Sequence, residues 1–549
     1  MRTLMRRPRS LVGRGQALGW RSASLLISLV IAVPMVAILL SLLESDAKEW
    51  THIQQVLLPE YLKNTFLLMV QVAAYTTVIG VGTAWLTVAT SFPGRRWLTW
   101  ALTLPLATPA YITAYVYTDL LEYSGPVQTG LRDGLGLDLD ALGLFEIRSL
   151  PGAAFVIGLS LYPYVYLLAR VAFLQRSARL FDAARTLGAS PWRAFFRIAL
   201  PAAWASIAGG LSLVLMETLA DFGVVEYFGI PTFSTGIFRT WFASGERIAA
   251  MKLAAVMFIV VIVLVAIEKQ SRRSGSPSSL STEGSFKPAA LRGWRALVAA
   301  AACLLPVVLG ALIPLLVLLR LAITEGDPML GPAFLEFMKN SVWVALLASL
   351  ISVLVALVLT YAQHLAAHWT TSTAVQISTL GYALPGTMLA VGLLQPLSLL
   401  DHRLALFFDT QLNWRPGLIL TGTLVVLIYA YVTRFLTVAY NATSSSMDRI
   451  PQTYLQAARS LGAGPMTVIR RIQLPLMRRA IMTAALVVFV DTIKELPATL
   501  LLRPFNFETL ATRVYRLAGD ERLAEASTAA LTIVLLGLIP VLLLNRQSK

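Results

Sequence analysis

Two carboxylate pairs stand in otherwise apolar stretches of this chain. Glu217 and Asp221 lie four residues apart, and Asp491 and Glu495 repeat that spacing. On a helix, residues four apart share a face. Acids inside an apolar run are costly and mark ion pathways or paired charges by default. Two such pairs could form a cation-attracting mouth. The alternative is structural ion pairing, with Lys494 beside Asp491 and Glu495 as an available partner. Oxygen donors suit a hard metal cation, and acids suit organic cations as well. They disfavour oxyanions, which require Arg or helix N-termini. Other chemistry has little to build on. His52, His364, His368 and His402 are the only histidines, and Cys303 is the only cysteine. No intrachain disulfide or cysteine-based metal centre follows from one thiol. His364 and His368 are four apart, but at the end of an apolar run, where interfacial polar residues are the simpler reading. A Gly-x-x-x-x-Gly-Lys-Ser/Thr phosphate loop is missing from the sequence, so nothing in it is expected to bind ATP.

The elements that must position these acids are membrane spans. Hydrophobic residues make up 57% of the 549 and charged residues only 13%, with a mean hydropathy of +0.70. A soluble domain carries about a quarter charged residues. Apolar runs long enough for a ~30 Å hydrocarbon core recur near 24–43, 65–89, 98–120, 150–174, 203–227, 249–267, 297–322, 341–362, 375–399, 416–438, 480–502 and 526–544. The expectation is an all-α polytopic membrane protein with about twelve transmembrane helices. Helical rise from Pro201 puts Glu217 and Asp221 in the outer half of the bilayer. The net charge of +16 falls in alternate loops: Arg2 to Arg21, Arg95 and Arg96, Arg176 to Arg197, Lys269 to Arg295, and Arg449 to Arg479. That is the positive-inside pattern, with both termini cytoplasmic, and it removes the need for nucleic acid as a partner. Glu44-Ser45-Asp46 follows the first run without a small-residue cleavage site, so that run is expected to remain as a span.

The chain also repeats itself. A stretch rich in Ser, Gly, Pro and Arg, residues 269–295, reads as a cytoplasmic linker. It separates a first half, 1–268, from a second half, 296–549, each with six spans. Lys63-Asn64-Thr65 is matched by Lys339-Asn340-Ser341, and Phe233 and Arg239 by Phe507 and Arg513. An even number of spans per half makes the repeats parallel, related by an axis along the membrane normal. The best-matched segments are two basic loops, 176–201 and 449–475. Asp182-Ala183-Ala184 leads to Gly188 and on to Pro201, and Gln456-Ala457-Ala458 leads at the same spacing to Gly462 and Pro475. Small alanines allow close approach of another backbone. Gly188 and Gly462 can end a helix in the left-handed conformation. Pro191 and Pro465 can then start the next one.

These paired loops resemble the cytoplasmic EAA loop of binding-protein-dependent ABC importer permeases, with Asp182 and Gln456 in place of the leading Glu. Further segments resemble the ferric-iron permeases of the Sfu/Fbp type: Leu104 to Tyr111 with Tyr115, Asp119, Tyr123 and Gly125-Pro126, then Gly381 to Leu394, and Lys494 to Leu500. The resemblance covers nearly the whole chain, including its fused two-half layout. It implies a bacterial inner-membrane permease whose loops at Asp182, Ala183, Ala184, Gly188, Gln456, Ala457, Ala458 and Gly462 dock two copies of an ATP-binding subunit. ATP and Mg would then sit on those partners, with no cofactor on this chain. A periplasmic substrate-binding protein would deliver Fe(III), with Glu217, Asp221, Asp491 and Glu495 on its path. Thiamine permeases share the layout, so thiamine or another organic cation is the alternative cargo. An ion-gradient-driven secondary transporter is the rival from another class, and it would leave the paired loops without a purpose.

Overall fold

The computed structural model describes residues 14–44, 47–136, 146–176, 190–274, 288–328, 330–414 and 417–547. Its long helices are α1 (Arg14–Leu40), α2 (Leu58–Ala89), α3 (Leu150–Arg176), α4 (Leu200–Ala220), α5 (Arg247–Ser274), α6 (Trp294–Val307), α7 (Ile313–Thr324), α8 (Pro332–Leu365), α9 (Gly386–Leu412), α10 (Leu424–Asp448), α11 (Leu474–Lys494) and α12 (Leu523–Gln547). The only strands among the described residues are β1 (Thr90–Ser91) and β2 (Ala289–Ala290), which pair in parallel. The protein is an all-α polytopic membrane protein. Helix α5 runs on to Ser274, so the first residues of the expected linker are helical. Residues 275–287 lie outside the described part.

Nine helices among the described residues are long and apolar enough to cross a membrane, or ten if one bent pair counts as a span. The difference from twelve has physical causes. Both third spans are broken. In the first half, helix Arg95–Ala101, a turn at Leu104–Ala107 and helix Ala110–Leu121 replace one continuous rod. In the second, Trp369–Ala383 meets α9 at 117°. Each break sits before a proline. Thr108 and Leu384 hold extended backbone, with ψ of 118° and 122°, because a following proline ring disfavours the helical region. Helix α11, which overlaps the eleventh span expected at 480–502, carries Arg478, Arg479, Asp491 and Lys494.

Packing sorts the chain into two compact units that do not follow sequence order. One comprises Met1–Ser45 and Pro332–Thr509. Here α1 lies against α8, helix Trp369–Ser378 and α9. Ile38 is fully buried, the Tyr429 hydroxyl donates to the Val30 carbonyl, and Trp20 meets Tyr361 with ring centroids 6.1 Å apart. In lipid, such close packing and interhelical hydrogen bonds hold helices together, since water exclusion is not available. The other unit comprises Asp46–Gly331 and Leu510–Lys549. It packs α2 on α3, α4 on α3 and α7 on α12. A buried ion pair, Arg513 to Asp327 at 3.3 Å, ties its late segment to the loop after α7.

The duplicated Lys-Asn-Thr/Ser motifs have a shared task. The Asn64 side-chain amide donates to the Pro231 carbonyl at 3.0 Å, and that of Asn340 donates to the Glu508 carbonyl at 3.1 Å. Each asparagine therefore fastens the start of a long helix to the loop beyond the carboxylate pair of its half.

Candidate functional site

The fifth span of each half stops in mid-course, and the second acid of each pair stands at the stop. Helix α4 ends at Ala220. Asp221 then turns extended, with ψ 132°, and the chain re-enters a short helix, Gly223–Tyr227. Its Oδ1 accepts the backbone N–H groups of Val224 and Val225 at 3.1 and 3.3 Å. Helix α11 ends at Lys494, Glu495 takes ψ 123°, and helix Pro497–Leu502 follows. Glu495 accepts from the N–H of Ala498 and of Thr499, and from the Thr499 hydroxyl, at 2.9 to 3.1 Å. The four-residue spacing is therefore not one helical face. In each pair the first acid is helical and the second caps the next helix, satisfying N–H groups that a helix start leaves unbonded. Glu217 and Asp491 are both half-buried.

Sequence reasoning missed the partner of Glu495. Arg434, on α10, reaches its Oε1 at 3.1 Å, with the two side chains only 12% and 2% exposed. An arginine within an apolar run was the signal that could have found it. The pair is enclosed so tightly that Gly386 has no room for a side chain. A Cβ there would come within 2.6 Å of both Arg434 Nη1 and Glu495 Oε1.

On the second basic loop, helix Gln452–Ser460 closes as the spacing predicts. Gly462 has φ +81°, and the Ala463 N–H bonds back to the Ala458 carbonyl at 3.0 Å, a left-handed helix stop. Gly464 then caps a new helix beginning at Pro465, which continues through a wider turn at Ile469–Gln473 into α11. Gln456 and Ala457 are exposed and Ala458 is buried, while Tyr454, Leu461 and Met466 are more than half exposed. In the first loop, Asp182, Ala183, Ala184 and Gly188 lie outside the described residues. The helix starting at Pro191 is described, and Phe195 packs on Trp85 at 4.9 Å.

Residues 76–267 match the family described as binding-protein-dependent transport system inner membrane component. Over the full length, the chain is 26% identical to an Fe(3+)-transport system permease protein of Haemophilus influenzae across 499 residues, 89% of this chain and 90% of that one. It is 32% identical to a molybdenum transport system permease protein of Escherichia coli K12 across 155 residues, 28% of this chain and 64% of that one. A sulfate transport system permease protein of the same bacterium matches at 24% across 217 residues, 39% and 74% of the two chains. Residues 76–267 belong to this permease family.

Two histidines of the described residues bond within the protein. His364 bonds through Nε2 to Asp448 at 3.1 Å and through Nδ1 to the Thr360 carbonyl. His368 instead caps helix Trp369–Ser378 through the Thr370 N–H. No group of three or more His, Cys, Asp and Glu side chains among the described residues could hold a metal ion. Cys303 is fully buried within α6.

Proposed function

We propose that this permease moves Fe(III) from a periplasmic binding protein to the cytoplasm, driven by two ATP-binding subunits that engage loops 176–201 and 449–475. The observation that carries the cargo is the full-length, two-half similarity to the Fe(3+) permease. The similarity to molybdenum and sulfate permeases runs over a fraction of the chain, in keeping with a common permease body. The acids at the broken spans fit a cation better than an oxyanion. Glu217, Asp221, Asp491 and Glu495 are assigned to the neighbourhood of the path. Glu495, with Arg434 and three further donors, holds the bend. The halves 1–268 and 296–549 are the functional repeats, with both termini cytoplasmic. The stop at Gly462 and the exposed apolar side chains around Gln456-Ala457 suit a docking surface for a nucleotide-binding partner.

The test is uptake in proteoliposomes holding the permease, its ATP-binding subunits and its binding protein, offered radiolabelled iron, thiamine or molybdate in turn. ATP-dependent accumulation of iron alone is the expected result. Accumulation of molybdate or thiamine without iron would overturn the cargo, and uptake driven by an ion gradient without ATP would overturn the class.

A further inference from the structure

Helices α4 and α5 pack against each other, yet the seam between them does not close along its whole length. Trp204 and Ala208 of α4, with Val263, Ala266, Ile267 and Gln270 of α5, line a groove of about 550 Å³. The four α5 positions follow the i, i+3, i+4, i+7 spacing of a single helical face. Small residues ordinarily let membrane helices close on each other. Here alanines from both helices border open space instead, and Trp204, Val263 and Ile267 are each at least half exposed. Close-packed protein leaves few gaps larger than a water molecule, whereas sites for small ligands measure about 300–1,000 Å³. The groove belongs to the second class.

One end of the groove is basic. Trp204 stands near the start of α4 and Gln270 near the end of α5, so both mark the same end. Arg193 and Arg197 lie on the helical run that leads into α4, and both are exposed, as is Lys269 beside Gln270. Arg197 precedes Trp204 by seven residues and Arg193 by eleven, close to two and three whole turns. The wide turn at Phe195–Ala199 shifts that register by about one residue, which keeps both arginines on the groove's side of the helix. Glu268, the acid nearest in sequence, is less exposed and falls outside the groove-lining set. Tryptophan is enriched at headgroup level. Exposed Trp204 therefore puts the basic end where the phosphates of a bilayer lie.

We propose that the groove holds an acyl chain of an anionic phospholipid, whose phosphate is drawn to Arg193, Arg197 and Lys269. An apolar trough alone would accept the chain of any lipid, and a cationic rim alone would accept free phosphate. A phospholipid carries both features in one molecule, at the separation the groove presents. Basic pockets between membrane helices bind anionic headgroups by this same combination. Bound there, the lipid bridges the start of α4, which follows loop 176–201, to the end of α5. The site holds whatever cargo the permease carries.

The test titrates the complete complex in detergent with phosphatidylglycerol, or with phosphatidylcholine of the same acyl chains, and counts retained lipids by native mass spectrometry. Phosphatidylglycerol should bind more tightly by about 10-fold or more. At about fivefold for each basic side chain, Arg193→Gln with Arg197→Gln should weaken it by roughly 25-fold and leave phosphatidylcholine unchanged. Ala208→Leu, which fills the groove, should remove one retained lipid of either kind. Both arginines are exposed, so their replacement decides the matter even where Ala208→Leu lowers the thermal midpoint. Equal binding of the two lipids, or full phosphatidylglycerol binding by the arginine double variant, would overturn the proposal. A stable Ala208→Leu complex with its full lipid count would do the same. Displacement of the lipid by inorganic phosphate would mark a free-anion site instead. Release of a copurified polypeptide by Ala208→Leu, with the lipid count unchanged, would give the groove to a protein partner and overturn the lipid.

Discussion

At the end of α4 the backbone leaves the helix at Asp221, and at the end of α11 it leaves at Glu495, with ψ angles of 132° and 123°. The geometry was duplicated; the bonding was not. Glu495 uses both oxygens, on two backbone N–H groups, a hydroxyl and the Arg434 guanidinium. For Asp221 the described bonds are two N–H groups, both on Oδ1. A carboxylate saturated by its own protein has little capacity left for a passing cation. The contrast teaches that one copy of a duplicated bend can become fixed by many bonds while the other is held by fewer.

The largest expected effect comes from breaking the saturated side. Arg434→Met leaves Glu495 buried without its charge partner, a loss of about 3–5 kcal/mol for such pairs. It should appear as a steep fall in purified yield and thermal midpoint, partly restored by adding Glu495→Gln. Retained stability in Arg434→Met would erase the difference between the two bends. Next in size is Gly386→Ala, whose methyl must displace both Arg434 and Glu495. Overpacking of this kind costs about 1–3 kcal/mol, measurable as a lower midpoint, whereas a neutral result would mean the enclosure is looser than the geometry indicates. The smallest effect on stability belongs to Asp221→Asn, which keeps a carbonyl oxygen for Val224 and Val225 and should cost about 0.5–1.5 kcal/mol. There the separation lies in transport: iron uptake should fall while assembly and basal ATPase activity persist. Full uptake would return Asp221 to the same structural status as Glu495.

Most of the spans and the left-handed stop at Gly462 were legible because each rests on local chemistry: apolar run length, and a glycine followed by Pro465. The bends were less so. Four-residue spacing suggested a continuous helix face, while the interruption was written in Pro497, two residues beyond Glu495, and in Gly223, two beyond Asp221. The broken third spans were signalled by Thr108-Pro109 and Leu384-Pro385, which the sequence reading used only for their resemblance to other permeases. Arg434 was hidden because its partner lies 61 residues away in sequence. No periodicity could show that α1 packs against α8 and α9, since an apolar span declares its length but not its neighbour.

That placement of α1 bears on how the protein is made. The first span leaves the ribosome long before its packing partners exist, because residues 46–331 must be synthesised in between. At about 5–20 residues per second the wait is roughly 15–60 s. During that time the helices that will bury Ile38 do not yet exist. A gene split within residues 269–295 would therefore send α1 and its eventual partners into the membrane on separate polypeptides, turning an intramolecular docking step into a search across the bilayer.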